Sequence, residues 1–338
     1  MAFTKDLSEL TSENIKTAGG KGASLAQLHR AGLPVPSAFV VLSHAFDRFL
    51  NSQGLDKEIE HLLAEVDKES ISSLEKASKE IKNKILSSPI PAELEQEITA
   101  RHKELNTSFV AVRSSATAED SSSDAWAGQL DSFLNTSGKD LLNNIQKCWA
   151  SLFNTRALYY RYERGLEKEQ ISVAVVVQEM IDSERSGTAF SIHPTTKENN
   201  KIVIDAGWGL GEAVVSGSIT PDNYIVDKGT RSILDTSVRD QKKALYRNTD
   251  GGNEWQEISE KGKAKVLSDQ EIERLAGLIQ RVEDHYGYPC DVEWAEVQGE
   301  FYIVQSRPIT SLPDTTSTQV YHKIMTRPQS LLDCECWD

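Results

Sequence analysis

Asp291-Val292-Glu293-Trp294-Ala295-Glu296-Val297, then Gln298-Gly299-Glu300, then Phe301-Tyr302-Ile303-Val304-Gln305-Ser306-Arg307-Pro308 reads as two strands joined by a tight turn. Strand side chains alternate between faces, so Asp291 and Glu293 share one face of the first strand, and Gln305 and Arg307 share one face of the second. A three-residue loop over Gln298-Gly299-Glu300 sets Glu293 opposite Gln305 and Asp291 opposite Arg307. One face then carries two carboxylates, an amide and a guanidinium. A two-residue loop, Gln298-Gly299, slips the register and divides the cluster between faces. Oxygen donors on a rigid sheet beside an arginine suit Mg²⁺ bound together with substrate phosphates. The competing reading is a solvated face with an Asp291–Arg307 salt bridge, and both stay open at this level.

Upstream, the spacing predicts a helix near Asp269 to Tyr286, and strands over Val173–Met180 and Thr188–Ile192 joined by the polar turn Asp182–Gly187. Another strand, Lys201–Asp205, runs into Gly207-Trp208-Gly209-Leu210-Gly211. A long helix is expected over Lys139–Arg164, with Leu142, Ile145, Trp149, Leu152 and Phe153 on one face. Phe109–Arg113 reads as a short buried strand, and Ser114–Asp124 as a loop. Residues 55–105 are rich in Glu and Lys and carry Ile59, Leu62, Leu63 and Val66 at helical spacing, with Pro91 as a first-turn proline. Nearer the start, Ala38–Leu42 is strand-like and Ser43 is a candidate cap for a helix over Ala45–Asn51. Thr17-Ala18-Gly19-Gly20-Lys21-Gly22 is a glycine loop opening a helix over Ala23–Arg30.

The chain has 338 residues and a formal charge of −14, enough length for two domains and an acidity that argues against general nucleic-acid binding. With 38 % hydrophobic and 26 % charged residues it has globular composition. The longest apolar runs, such as Val173–Val177, are far too short to span a bilayer. Met1–Asn14 has no apolar core of a secretory signal, so the expected compartment is the cytosol. Cys148, Cys290, Cys334 and Cys336 read as free thiols, with a zinc site the minor alternative. From Ser311 the tail is Thr/Ser/Asp-rich, and residues 312–338 read as a linker or the start of a further domain, or as a short native terminus.

Two more segments can hold anions. Backbone N–H groups at a helix start attract phosphate, and Lys21 adds a point charge there. The spacing is not a Walker A motif, since the preceding glycine is missing and Gly22 stands where Ser or Thr is required, and a plain Gly-Gly turn with an exposed lysine is the commoner explanation of the segment by itself. In Val110-Ala111-Val112-Arg113-Ser114-Ser115-Ala116-Thr117-Ala118-Glu119-Asp120, the strand-end arginine can grip phosphate oxygens in bidentate fashion. Its alternative is a surface pair with Glu119 or Asp120. Of seven histidines, His44 follows Ser43 in a way that superficially suits a phosphorylated histidine, but it sits at a helix start without a glycine-rich loop before it.

Taken in order, these segments resemble the N-terminal nucleotide-binding region of the phosphoenolpyruvate synthase and pyruvate phosphate dikinase family, which includes rifampicin phosphotransferase. The resemblance rests on Gly19-Gly20-Lys21-Gly22-Ala23-Ser24-Leu25, Gly32-Leu33-Pro34-Val35-Pro36, Val112–Asp120 with Ala127-Gly128-Gln129, and Val177-Gln178-Glu179-Met180. It continues through Gly209-Leu210-Gly211-Glu212 with Ser216-Gly217, Pro221-Asp222, Asp291-Val292-Glu293-Trp294 and Gln305-Ser306-Arg307-Pro308. It runs from about Gly19 to Thr310.

The resemblance implies an α+β ATP-grasp fold whose two lobes, residues 1–190 and 191–311, clamp ATP and Mg²⁺. Lys21, Arg113 and Arg307 then match the catalytic, phosphate-binding cations. Glu293 and Gln305 match the magnesium ligands, with Asp291 close by. Gln178, Glu179, Met180 and Ile181 match the hinge that holds adenine, while Gly128 and Ser132 match positions lining the nucleotide. In this family ATP passes a phosphoryl or pyrophosphoryl group to a histidine on a separate swivelling domain, AMP leaves, and a small acceptor such as pyruvate takes the phosphate onward. That phosphohistidine segment and the pyruvate-binding barrel have no counterpart in this sequence. The expectation is therefore an ATP-binding half, working with a histidine domain in the same chain or on a partner, as in phenylphosphate synthase, whose ATP-binding region is a separate subunit. Cys290 stands where the family often has glutamine. A non-catalytic ATP or AMP sensor is the alternative.

Overall fold

The computed structural model describes residues 2–11, 14–117, 130–166, 171–249 and 251–309. The first sheet contains β1 (Thr4–Asp6), β2 (Ala38–Val41), β3 (Phe109–Ala116), β4 (Ser132–Ser137) and β5 (Val173–Glu179) in the order β1-β2-β5-β3-β4. The second contains β6 (Arg185–Phe190), β7 (Lys201–Trp208), β8 (Asp222–Asp227), β9 (Ile233–Ser237), β12 (Cys290–Val297) and β13 (Glu300–Pro308) in the order β13-β12-β6-β7-β8-β9. Between β9 and β12 the separate ribbon of β10 (Lys243–Arg247) and β11 (Asn253–Glu257) is inserted. Every ladder is antiparallel.

Helices cover the sheets as their apolar faces require. On the back of the first sheet pack α2 (Ser43–Gln53), α3 (Leu55–Ala64), α4 (Ile71–Ser87), α5 (Ala92–Leu105), α6 (Leu141–Ser151) and α7 (Thr155–Glu163). Their core includes Phe46, Phe49, Ile81, Ile145 and Trp149 against Val110, Val112, Val173, Val175 and Val177. On the front, α1 (Ile15–Arg30) covers Val40, Ala174 and Val176 with Ala18, Leu25 and Ala26. Both faces of β5 are thus buried, which is why Val173–Val177 is an unbroken apolar run rather than an alternating one. The short α8 (Glu212–Val215) follows β7, and α9 (Asp269–Tyr286) packs Ile272, Leu275, Ile279 and Val282 on the back of the second sheet. Leu28 and Leu33 join that second core. α1 therefore belongs to both halves, and Ser24 of α1 reaches Tyr286 (2.7 Å) and the Ser306 carbonyl (3.0 Å).

The α+β architecture matches expectation, and several local readings are corrected. The segment expected as one helix over Lys139–Arg164 is α6 and α7, because the chain turns through Leu152–Asn154. Ser114–Ala116, expected in a loop, continue β3 by pairing with Val173–Val175 of β5, while 118–124 lie outside the described residues. Ser43 is the first residue of α2 rather than its cap, and Pro91 precedes α5. Val173–Met180 and Thr188–Ile192 do not form one hairpin: β5 and β6 lie in different sheets. Sheet membership changes between β5 and β6, ahead of Arg185. Residues 312–338, expected as a linker, lie outside the described residues, as do Cys334 and Cys336. No helix among the described residues is long and apolar enough to cross a membrane.

The glycine loop is a kink inside α1. Gly19 adopts φ 68° and ψ 171°, a combination open to glycine alone. A Cβ there would lie 2.4 Å from Ser115 Oγ and 2.5 Å from its carbonyl oxygen. The kink frees N–H groups at the start of the second segment, and Ser115 Oγ accepts from those of Lys21 (3.1 Å) and Gly22 (3.4 Å). A hydroxyl on the first sheet thereby caps a helix that runs on to the second. Gly19→Ala should lower stability by roughly 2 to 4 kcal/mol, combining backbone strain with overpacking. Urea unfolding followed by circular dichroism measures it, and an unchanged midpoint would show that the kink is not needed.

Candidate active site between the two sheets

The hairpin turn has two residues, Gln298 and Gly299, both with positive φ (52° and 83°), and Val297 pairs with Glu300. This is the loop expected to divide the cluster. Uninterrupted pairing from it would set Glu293 against Val304 and turn Gln305 to the core face. A bulge between Glu293 and Trp294 absorbs one residue of β13, so the pairs resume as Glu293 with Gln305 and Asp291 with Arg307. The four polar groups share a face after all. Glu296 pins the turn: one carboxylate oxygen accepts from the Gly299 N–H and the other from Arg185 Nε at 2.6 Å. Arg185 also binds Glu271 of α9 at 2.7 Å.

Arg113, near the middle of β3, is only 12 % exposed and extends from the first sheet to this face. Its Nη2 donates to Glu293 Oε2 (2.8 Å) and Gln305 Oε1 (3.0 Å), and its Nη1 to the Val304 carbonyl (2.8 Å) and Gln178 Oε1 (3.3 Å). Gln305 Nε2 in turn donates to Glu293 Oε1 at 3.0 Å. The Val304 carbonyl is available because Val304 is the residue left over by the bulge. Arg307 grips Asp291 through Nε (2.9 Å) and Nη2 (2.8 Å) and is about half exposed.

Lys21 lies beneath β3, where Nζ donates to the Ser114 carbonyl at 2.8 Å. Burial lowers the ammonium's pKa to about 8, with Arg113 and Arg307 pushing the same way and Glu293 opposing. Lys21, Arg113 and Arg307 exceed by one charge the carboxylates of Glu293 and Asp291 that pair with the arginines, and such an excess suits an anion. Two buried donors point to the same need: Arg113 Nε and Gln178 Nε2 have no hydrogen-bond partner.

Lys21, Arg113, Gln178, Glu293 and Gln305 are thus brought together, with Asp291 and Arg307 two pairs further along the hairpin on the same face. Ser132 sits on β4 directly beside Arg113 in the ladder. Glu179 ends β5, and its N–H bonds the Ser37 carbonyl at 2.8 Å. Met180 bonds the Phe109 carbonyl through its N–H (3.1 Å) and packs on Leu210, Ala213 and Leu245, with half-buried Ile181 following. Gly128 lies outside the described residues. Cys290 is buried, with Sγ at 3.2 Å from the Tyr288 carbonyl and its thiol pKa raised by burial, so it serves the core and not the hairpin's outer edge. His44 bonds the Ala2 carbonyl at the surface.

Sequence reasoning missed the Ser115 cap, the Val304 carbonyl, and a polar row continuing from Gln305 and Glu293 through Thr188, Asp205 and Asn223 on successive strands. Asn223 Nδ2 donates to Asp205 Oδ1 at 2.8 Å, and burial raises the pKa of Asp205. No spacing rule reveals that row, because it depends on strand order.

Residues 15–328 match the family model described as the pyruvate phosphate dikinase AMP/ATP-binding domain. The chain belongs to this family. Proteins named probable phosphoenolpyruvate synthase are 43 % identical over 316 residues in Methanothermobacter thermautotrophicus (91 % of this chain, 46 % of that protein) and 44 % over 313 in Archaeoglobus fulgidus (90 % and 41 %). The phosphoenolpyruvate synthase of Pyrococcus furiosus is 36 % identical over 371 residues (94 % and 45 %). The chain spans less than half the length of these curated relatives. Its two-sheet α+β fold is that of the ATP-grasp-like dikinase N-terminal domain.

Lys21 predicts a pH dependence. A phosphate beside it favours the ammonium and raises its pKa, so nucleotide affinity is full below pH 8. It falls as pH rises above that value, by at most about tenfold per unit. Stability moves oppositely: with the folded pKa about 8 and the ordinary lysine value 10.5, this residue's contribution rises with pH across that window. Calorimetric titration of ATP from pH 7 to 9.5 should show the weakening, and Lys21→Met should bind more weakly with a flat profile. A wild-type profile as flat as the variant's would remove Lys21 from the phosphate site.

Proposed function

We propose that the chain is the ATP-binding half of a dikinase-type phosphotransferase. The supporting observation is the meeting of Lys21 and Arg113 from one half with Glu293, Gln305 and the Asp291–Arg307 pair from the other. The nucleotide lies between the sheets, its phosphates against the cations and its base toward Met180. Gln178, bonded to Arg113, faces the phosphates rather than the base.

Among the described residues no group of three or more His, Cys, Asp or Glu side chains has metal-binding geometry. A carboxylate and an amide oxygen side by side are nevertheless what Mg²⁺ needs when phosphates and water complete its shell. Glu293 and Gln305, with Asp291 nearby, are the residues to hold it. When bound, the ion neutralises phosphate charge and orients the transferring group.

A histidine nitrogen on a swivelling domain forms a bond to the β-phosphorus while the bond from that phosphorus to the α,β-bridging oxygen breaks. AMP departs with the oxygen, and the histidine carries the pyrophosphoryl group or, once water has attacked the terminal phosphorus and released it as inorganic phosphate, the phosphoryl group to pyruvate or another small acceptor. Lys21, Arg113 and Arg307 hold the phosphates in line and spread their charge, which is most of what such a transfer requires.

The test is to incubate the chain with Mg²⁺ and ATP, with and without a family histidine domain added in trans, and to follow AMP by chromatography. AMP should form only with the histidine domain present. Lys21→Ala and Arg113→Ala should each reduce it by about a hundredfold or more, the scale of losing a charge-stabilising donor, with the folded circular dichroism spectrum retained. Near-normal transfer in both would sink the site assignment. Tight ATP binding without AMP under either condition would favour the sensor reading.

A further inference from the structure

We propose that Arg113 gates the metal site: the guanidinium that grips the phosphates also closes Glu293 and Gln305 to a divalent cation until an anion draws it away. This deepens the proposed function and rests on it for the identity of the anion. Each side-chain oxygen of the pair already has a donor: Glu293 Oε2 accepts from Arg113 Nη2, Glu293 Oε1 from Gln305 Nε2, and Gln305 Oε1 from Arg113 Nη2. Each oxygen keeps a second lone pair, but a small divalent ion that bonds oxygen at about 2.1 Å crowds and competes with these donors. It must also enter beside the positive charges of Arg113 and Lys21, whose fields act on this spot with only partial solvent screening.

The guanidinium has somewhere to go. Its Nε–H is buried and unpartnered, and the Gln178 Nε2 donor beside it is unpartnered as well, so an anion arriving there satisfies both while loosening the hold of Arg113 on Glu293 and Gln305. Val304 and Gln178, which bind Nη1, keep the side chain anchored as it turns. The exchange is one guanidinium leaving two oxygens and one cation replacing it. Metal and nucleotide then bind as a unit, and each raises the other's affinity by the same factor. The site discriminates against bare metal without a separate lid.

The experiment titrates Mn²⁺ into the nucleotide-free chain and counts free ion by electron paramagnetic resonance. Wild type should bind Mn²⁺ weakly. Arg113→Met should bind it at least about fivefold more tightly, the low end of usual site-to-site coupling, although the same change removes a phosphate contact. The gain should vanish in the double variant Arg113→Met/Glu293→Gln. Should the methionine variant not fold, Arg113→Lys, which keeps the charge and loses the fork, should still tighten Mn²⁺ measurably. Affinity equal to or below wild type in the folded arginine variant overturns the gate. A separate titration of wild type with Mn²⁺ and β,γ-imido-ATP tests the nucleotide reading: binding there without a gain in the arginine variant sinks the gate alone.

Discussion

One guanidinium joins the two halves of this molecule at its centre. Arg113 stems from β3, bonds Gln178 on neighbouring β5 through Nη1, and uses Nη1 and Nη2 to bond Val304, Glu293 and Gln305 of the other sheet. A charge so enclosed is costly unless it is paired and hydrogen-bonded, and here four donated bonds and one carboxylate meet that need. Only a planar fork can serve two strands of one sheet while staying bonded to a third strand of another. The demand propagates outward: Glu293 and Gln305 must be cross-strand neighbours, Val304 must have a spare carbonyl, and α1 must bend so that Lys21 and Ser24 reach both halves.

The bulge in β13 reconciles two local requirements that conflict. Near the turn, Glu296 is fixed by Arg185 and by the Gly299 N–H, which enforces a two-residue connection. At the far end, core residues Val292, Trp294 and Ile303 must face α9 while Glu293 and Gln305 face the cleft. A regular ladder from that turn meets the first requirement and fails the second. One extra residue restores the alternation, and the backbone oxygen it exposes becomes a ligand for Arg113. A defect in the ladder and a feature of the site are therefore the same residue.

The legible parts were those set by short-range spacing. The pairing of Asp291 and Glu293, of Gln305 and Arg307, the apolar stripe of α9 and the strand core of β5 all follow from alternation or helical period. The hairpin register was undecidable because turn length and bulge compensate, and neither leaves a mark in alternation alone. Ser114–Ala116 misled because small polar residues resemble a loop, whereas here they are strand residues whose hydroxyls and carbonyls hold Lys21 and the α1 kink. The break between α6 and α7 was hidden by apolar residues that keep their period across Leu152–Asn154. Sheet assignment lay furthest out of reach: nothing near Asp182–Gly187 says that β5 and β6 part company, or that Thr188 and Asp205 extend the polar row.

What the cluster lacks is as directive as what it holds. Every side chain bonded to Arg113 is an acceptor, Lys21 and Arg113 are donors, and three histidines have their bonds elsewhere, His44 with Ala2, His61 with Glu65 and His193 with its own turn. Among the described residues the cluster gathers cations, carboxylates and amides, a set that on the proposed function positions a polyphosphate and neutralises it. On that same reading the nucleophile comes from outside the cluster, and the chain spans less than half the length of its curated relatives. The proposed function also accords with the charge balance: in a chain of net charge −14, Lys21, Arg113 and Arg307 here outnumber the carboxylates of Glu293 and Asp291 that pair with the arginines, which on that reading favours a polyphosphate at this spot.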